Sequence, residues 1–246
     1  RKPAVEHNRQ WKPAVAYCRY ADDFVIIVKG HKRAAEAIRE QCRKFLEGKL
    51  KLTLNMEKSH ITHVNDGFVF LGHRIIRKRG PKGNMRVVSG IPKEKARAFA
   101  VKLSKELSGD YSNSKIDKVE KLNQKLQGWA KFYCHTDYTA KIYSKIDRIV
   151  FWKLAHWLAR KYRCSIKSLM RKKWCKRPSP DKAKTWVLFG KTNQGNLCGA
   201  DLFRLVSSPK LQFRWRLPKV NPYLRDEVRN TVTSRYADVA MAVGHD

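Results

Sequence analysis

The chain has 246 residues, with 54 Lys+Arg against 21 Asp+Glu and a formal net charge of +33. Self-repulsion on that scale opposes compaction, so the excess points to a polyanionic partner and away from an ordinary enzyme of small neutral metabolites. The cations are dispersed through apolar periodic segments and accompany 42% apolar and 11% aromatic residues, which indicates one or two folded domains with basic faces rather than a disordered arm.

Residues 1–13 are basic and polar, an irregular lead-in. Residues 14–20 and 24–28 are apolar and β-prone, and read as two strands joined by a tight turn. That turn sets Asp22 and Asp23 side by side. Adjacent acids repel each other, a cost that a cation would remove, and Mg²⁺ prefers hard oxygen donors of this kind. A solvated Asp-Asp turn is the plainer alternative, since Asp is a common turn residue. Tyr20-Ala21 in front and the apolar strand behind favour the metal site.

Residues 31–46 then read as a helix, with Ala34, Ile38, Cys42 and Phe45/Leu46 on one face and Gly48 as its stop. Residues 50–54 alternate apolar and polar, as a half-buried strand does. Residues 61–64 and 68–76 read as two more strands around Asn65-Asp66-Gly67, a hairpin-turn signal. A basic break over residues 77–83 precedes a short strand at 85–88. Pro92 suits a first helical position, and Ala96, Phe99, Ala100, Leu103 and Leu107 make a stripe that Gly109 stops. Ser114-x-x-Asp117 resembles a capping box, and Ile116, Val119, Leu122, Leu126, Trp129 and Tyr133 follow at helical spacing. A third helix covers residues 139–161. Composition thus shifts from α+β to helical near residue 90.

Past Cys164 the pattern is less regular. Residues 171–177 mix Arg171, Lys172 and Lys173 with Trp174. Residues 184–190 resemble a short strand. Residues 211–217 alternate, with Leu211, Phe213, Trp215 and Leu217 facing one way and Arg214 and Arg216 the other. Basic residues bind phosphates and aromatic faces stack on bases; a solvated basic face with core Trp186 and Trp215 is the alternative. No apolar run approaches the roughly 20 residues that span a bilayer. None of the six cysteines forms a C-x-x-C pair and no histidine pair has zinc-finger spacing. Cys18, Cys42 and Cys134 lie on apolar stripes and read as buried thiols in a reducing compartment, without zinc or a disulfide framework. The chain starts at Arg1 rather than Met, so it reads as part of something longer, with any upstream targeting signal out of view.

Arg19-Tyr20-Ala21-Asp22-Asp23-Phe24 resembles the catalytic block of the group II intron-encoded reverse transcriptases and maturases. Leu54-Asn55-x-Glu57-Lys58-Ser59 resembles that family's next block, and Gly67-Phe68-Val69-Phe70-Leu71-Gly72 its primer grip. Residues 128–133 resemble the start of its maturase region; residues 171–174, 186–190 and Asn221-Pro222-Tyr223 fit the later part. The resemblance covers almost the whole chain. It implies an α+β fold: the end of a right-hand polymerase palm over 1–90, a helical thumb over 91–163 and a mostly helical, basic maturase region over 164–246.

The implied activity is RNA-directed DNA polymerisation by a protein that also binds intron RNA and assists its splicing and mobility. Mg²⁺ is the implied cofactor. The implied partners are group II intron RNA, primer-template, deoxynucleotide and target DNA, and the fingers and remaining palm of the same protein. Asp22 would ligate Mg²⁺ and Asp23 would support that site; the metals would activate a primer 3′-hydroxyl. Tyr20 and Ala21 would sit by the primer terminus or incoming nucleotide. Lys58 would neutralise the pyrophosphate leaving group, a salt-bridged surface lysine being the alternative. Phe70, Leu71 and Gly72 would hold the primer. Arg171, Lys172, Lys173, Arg214 and Arg216 would grip RNA, while Trp129 and Tyr133 belong to the thumb core.

The family's palm carries a third aspartate on an earlier strand, so this stretch is expected to be inactive alone. With only His245 and no cysteine after Cys198, no endonuclease is expected. The bacterial cytoplasm is the expected location, an organelle the alternative. Two rival readings stand beside this one: a non-catalytic RNA-binding splicing cofactor, and a related reverse transcriptase of a phage-defence or CRISPR system.

Overall fold

A computed structural model describes residues 14–80 and 83–211, and those up to residue 210 belong to one compact unit. Strands β1 (Ala14–Tyr20) and β2 (Asp23–Lys29) pair antiparallel with Tyr20 opposite Asp23. Only Ala21 and Asp22 are left to make the loop. Two-residue hairpin loops match the strand twist when the first loop residue has positive φ, and Ala21 sits at φ 49°.

Helix α1 (Lys32–Lys49) follows. It passes through Gly48, the expected stop. Lys51 takes the left-handed position instead, at φ 55°, and the N–H groups of Leu50 and Leu52 both donate to the Leu46 carbonyl at 3.2 and 3.0 Å. The expected strand at 50–54 is therefore absent. Its first residues close the helix, and no strand among the described residues lies beside it to complete a ladder.

The expected strand over 68–76 is also corrected: it is a hairpin. Strand β3 (Phe68–Phe70) turns through Leu71-Gly72 into β4 (His73–Arg79), which pairs in turn with β5 (Met85–Gly90). Leu71 and Gly72 have φ 48° and 79°, the paired positive φ of a tight hairpin loop. Residues 61–64 form no strand. The Arg77 N–H donates to the Val64 carbonyl at 3.0 Å, and the Arg77 Nε–H to Asn65 Oδ1 at 2.8 Å. The Asn65-Asp66-Gly67 turn thus folds a loop onto β4.

Three helices form the centre: α2 (Lys93–Glu106), α3 (Lys115–Phe132) and α4 (Ala140–Lys161). Pro92 stands at the N-cap of α2, one position before the expected one. Leu103, Ile116, Val119, Leu122, Leu126, Leu154 and Leu158 are fully buried between the helices, each contributing about 1.5–3 kcal/mol of hydrophobic stabilisation. Trp129 stacks on Phe99 at 4.6 Å and meets Tyr133 edge-on at 4.8 Å, so both belong to the core.

The later region is not mostly helical among its described residues. A short helix α5 (Ile166–Arg171) leads into an antiparallel sheet, β6 (Cys175–Lys176), β7 (Thr185–Lys191) and β8 (Leu197–Asp201), ordered β6-β7-β8. Trp186 is fully buried on β7 and donates its indole N–H to the Phe151 carbonyl at 3.1 Å.

The turn after β7 anchors α3. Ser114 caps the helix as expected, its Oγ accepting from the Ile116 N–H at 3.1 Å. The reciprocal half of the box is different: Asp117 accepts from the Asn193 N–H at 2.7 Å, and the Ser114 N–H donates to Asn193 Oδ1 at 2.9 Å. A residue about eighty positions away completes the cap. The cysteines differ too: Cys18 is exposed, Cys42 and Cys134 are half-buried, and Cys175 is the buried thiol. Cys18 lies on β1, whose residues 15–20 are all exposed.

Candidate catalytic hairpin and nucleic-acid interface

The β1–β2 hairpin places Asp22 in the loop and Asp23 at the first position of β2, both exposed. The loop is braced by Arg19, whose Nε–H donates to the Ala21 carbonyl at 2.7 Å. In a chain with 54 Lys+Arg, neither carboxylate has an ion pair among the described residues. Carboxylate oxygens are the hard donors that Mg²⁺ takes, and these two fit it as a partial ligand set. Among the described residues no third acidic, His or Cys side chain joins them. Tyr20 is 66% exposed beside them, and the methyl side chain of Ala21 leaves the loop open.

Lys58 lies in a separate turn. Its N–H donates to Asn55 Oδ1 at 3.0 Å, and Ser59 Oγ donates to the Asn55 carbonyl at 2.7 Å. Lys58 is exposed, and no ion pair joins it to either aspartate. Phe70 ends β3 and Leu71 and Gly72 make the β3–β4 loop, which docks on the end of α3. Tyr133 donates its hydroxyl to the Gly72 carbonyl at 3.2 Å. The His73 ring stacks on Phe132 at 5.1 Å and meets Tyr133 edge-on at 5.2 Å. A Cβ on Gly72 would lie 3.4 Å from Phe132. A second tie joins β5 to the α3–α4 connection: the Asp137 N–H donates to the Ser89 carbonyl at 2.9 Å, and the Ser89 N–H to Asp137 Oδ2 at 3.3 Å. Sequence reading missed His73 and Asp137, because each finds its partner far along the chain.

Arg171, Lys172 and Lys173 are exposed at the end of α5, with Lys173 at φ 58°. Trp174 beside them is not a free stacking face. Lys115 Nζ lies 4.3 Å from its ring centroid, and Tyr162 meets it edge-on at 5.1 Å. Burial, and then the charge of Lys161, hold the Lys115 ammonium below its ordinary pKa. Lys161 itself turns inward, donating to the Tyr111 and Asn113 carbonyls at 2.6 and 2.8 Å. Part of the basic surplus is therefore structural. The expected contacts by Phe213, Arg214, Trp215 and Arg216, with Asn221-Pro222-Tyr223 and His245, lie outside the described residues.

Residues 4–75 match the profile of the reverse transcriptase (RNA-dependent DNA polymerase) family, and residues 97–178 that of the group II intron maturase-specific domain. The chain is similar to protein YkfC of Escherichia coli strain K12, 70% identical over 104 residues, 42% of this chain and 27% of that protein. It is also similar to the group II intron-encoded protein LtrA of Lactococcus lactis subsp. cremoris, 42% identical over 81 residues, 32% of this chain and 14% of that protein. The chain thus spans less than a third of the length of these relatives.

Proposed function

We propose, given that this chain belongs to the family of group II intron-encoded reverse transcriptase/maturases, that it carries the metal-binding hairpin of an RNA-directed DNA polymerase together with an intron-RNA-binding surface. The observation that carries the reading is the pair Asp22–Asp23, exposed and without an ion pair among the described residues of a strongly cationic chain.

In this reading 1–90 is the end of the palm, 91–163 the thumb and 164–246 the maturase region. Asp22 and Asp23 hold Mg²⁺. When bound, the metal would neutralise charge on the attacking and leaving oxygens of phosphoryl transfer. Ala21 leaves room for the primer end or nucleotide beside Tyr20. Lys58 meets the negative charge of the pyrophosphate. The Phe70-Leu71-Gly72 loop, braced by Tyr133, supports the primer strand through packing and close backbone approach. Arg171, Lys172 and Lys173, with Arg214 and Arg216, neutralise phosphates of the intron RNA.

The test is extension of a DNA primer on an RNA template by the complete protein, paired with splicing of its intron RNA. Extension with Mg²⁺ supports the reading. Splicing assistance without any extension would make the protein a non-catalytic RNA-binding cofactor.

A further inference from the structure

One face of α4 opens a groove of about 730 Å³ against the connection between α2 and α3. Arg148, Trp152, His156 and Arg160 line it in one row at four-residue spacing, with Lys153 beside them. Twelve residues of helix at about 1.5 Å each make that row roughly 18 Å long. Trp152 is 46% exposed although it is large and apolar, and the ring of its neighbour Phe151 meets it edge-on at 5.5 Å.

The opposite wall is held firmly. Arg160 donates to the Tyr111 hydroxyl at 3.2 Å, and Lys161 holds the Tyr111 carbonyl. No acidic residue lines the groove. Among the described residues Arg148 and Lys153 have no ion pair. Neither the hairpins nor Arg171–Lys173 contribute to the lining of this groove.

We infer that this α4 groove binds an unpaired stretch of RNA, with one base stacked on Trp152 and the flanking phosphates on Arg148, Lys153 and Arg160. The inference rests on the RNA-binding part of the proposed function. A polyanion is the occupant because every charged side chain of the groove is cationic. The strand is unpaired because an exposed indole between cations takes a splayed-out base, whereas bases inside a duplex are already stacked on each other. Trp152 is the central contact, since base–aromatic stacking is sequence-tolerant and strong.

The test uses the complete chain and two fluorescent probes at fixed salt, an unpaired oligouridine of about twelve nucleotides and an RNA hairpin of equal charge, read by anisotropy. Trp152→Ala is expected to weaken oligouridine binding about 5- to 150-fold. Trp152→Phe should keep most of it, and hairpin binding should change less than about twofold. Arg148→Gln with Lys153→Gln should weaken oligouridine binding further and flatten its salt dependence. Trp152 is partly exposed, and thermal melting of each variant checks that the fold is kept.

Equal weakening of both probes by Trp152→Ala, or none for either, would overturn the inference while leaving the proposed function in place. Wild-type protein that binds neither probe would overturn the RNA-binding reading itself.

Discussion

Asp22→Ala or Asp23→Ala in the complete protein is expected to abolish primer extension and leave intron-RNA binding nearly intact. In the proposed reading, loss of one metal-binding carboxylate removes several kcal/mol of transition-state stabilisation, on the order of 10²–10⁴ in rate, whereas affinity for RNA would come from dispersed cations. Extension that survives in both variants would sink the assignment.

A second residue-scale expectation concerns Asp147, buried on α4. It accepts from the Leu205 and Val206 N–H groups at 2.8 and 3.1 Å, with Arg204 at 3.8 Å. Burial outweighs these contacts and holds the carboxyl above its ordinary value of 3.8. A carboxyl with a raised folded pKa contributes stability below its unfolded pKa and loses it as pH rises through the folded one. Wild type should therefore lose stability relative to Asp147→Asn as pH rises above about 3.8. Urea melts at about pH 3.5 and about pH 6 read the difference, and parallel pH dependence of the two proteins would contradict it. Asp147→Ala leaves the buried Leu205 N–H and the part-buried Val206 N–H unpaired and should cost about 1–3 kcal/mol.

At the scale of elements, the glycines at two turns separate conformation from crowding. Gly67 has φ 76°, and a Cβ there would lie 2.8 Å from Ile76 Cβ and 2.9 Å from the Ile75 carbonyl. Gly83 has φ 81° but open space. Gly83→Ala should therefore cost only the left-handed penalty of about 1–2 kcal/mol, and Gly67→Ala about 2–4 kcal/mol. Equal losses in denaturant melts would mean that the turn does not press on β4. The cap of α3 gives a coupling test: Ser114→Ala and Asn193→Ala should each cost about 1 kcal/mol, with a combined effect that departs from additivity by about 0.5 kcal/mol or more. Strict additivity would mean that the β7–β8 turn does not hold the helix start.

These same elements show what a sequence reader can and cannot see. The helices α2, α3 and α4 were legible because apolar residues recur at their period and Pro92, Ser114 and Gly109 punctuate them. The β1–β2 hairpin was legible from its apolar arms and acidic tip. The break at Leu71-Gly72 was hidden because a leucine rarely takes positive φ, so the run over 68–76 looked continuous. Residues 50–54 carry strand alternation but find no neighbouring strand among the described residues, and pattern alone does not supply one. Of the β6–β8 sheet, β7 was legible as the strand over residues 184–190, whereas β6 and β8, of two and five residues, are too short to show a period. Of the site residues, Asp22 and Asp23 announced themselves by adjacency. The engagement of Trp174 by Lys115, and the exposure of Trp152, depend on packing between distant segments.

For the whole molecule, the charge surplus predicts steep salt dependence. If binding neutralises about 6–10 phosphates, affinity for structured RNA should fall on the order of 10³–10⁵-fold between roughly 50 and 200 mM salt. A flat filter-binding response would contradict the electrostatic argument. Removing charge at Arg171, Lys172 and Lys173 together should impair splicing by the complete protein more than extension on a generic primer-template. These side chains are exposed at a helix end, so circular dichroism should be unchanged. Equal loss of both activities would make the surface a general nucleic-acid clamp.

The two ties that join the β3–β5 sheet to the end of α3 and to the connection after it have a mechanical consequence. Gly72 is held by Tyr133, and Ser89 by Asp137, only four residues further on. A plate pinned at two neighbouring points resists sliding and keeps one soft motion, rotation about the line through the pins. Rotation about that line, as of a door on its hinges, is the softest motion expected of the sheet against the helices. The Phe70-Leu71-Gly72 loop lies at one pin, near the axis, and is displaced least when the far edge of the sheet swings.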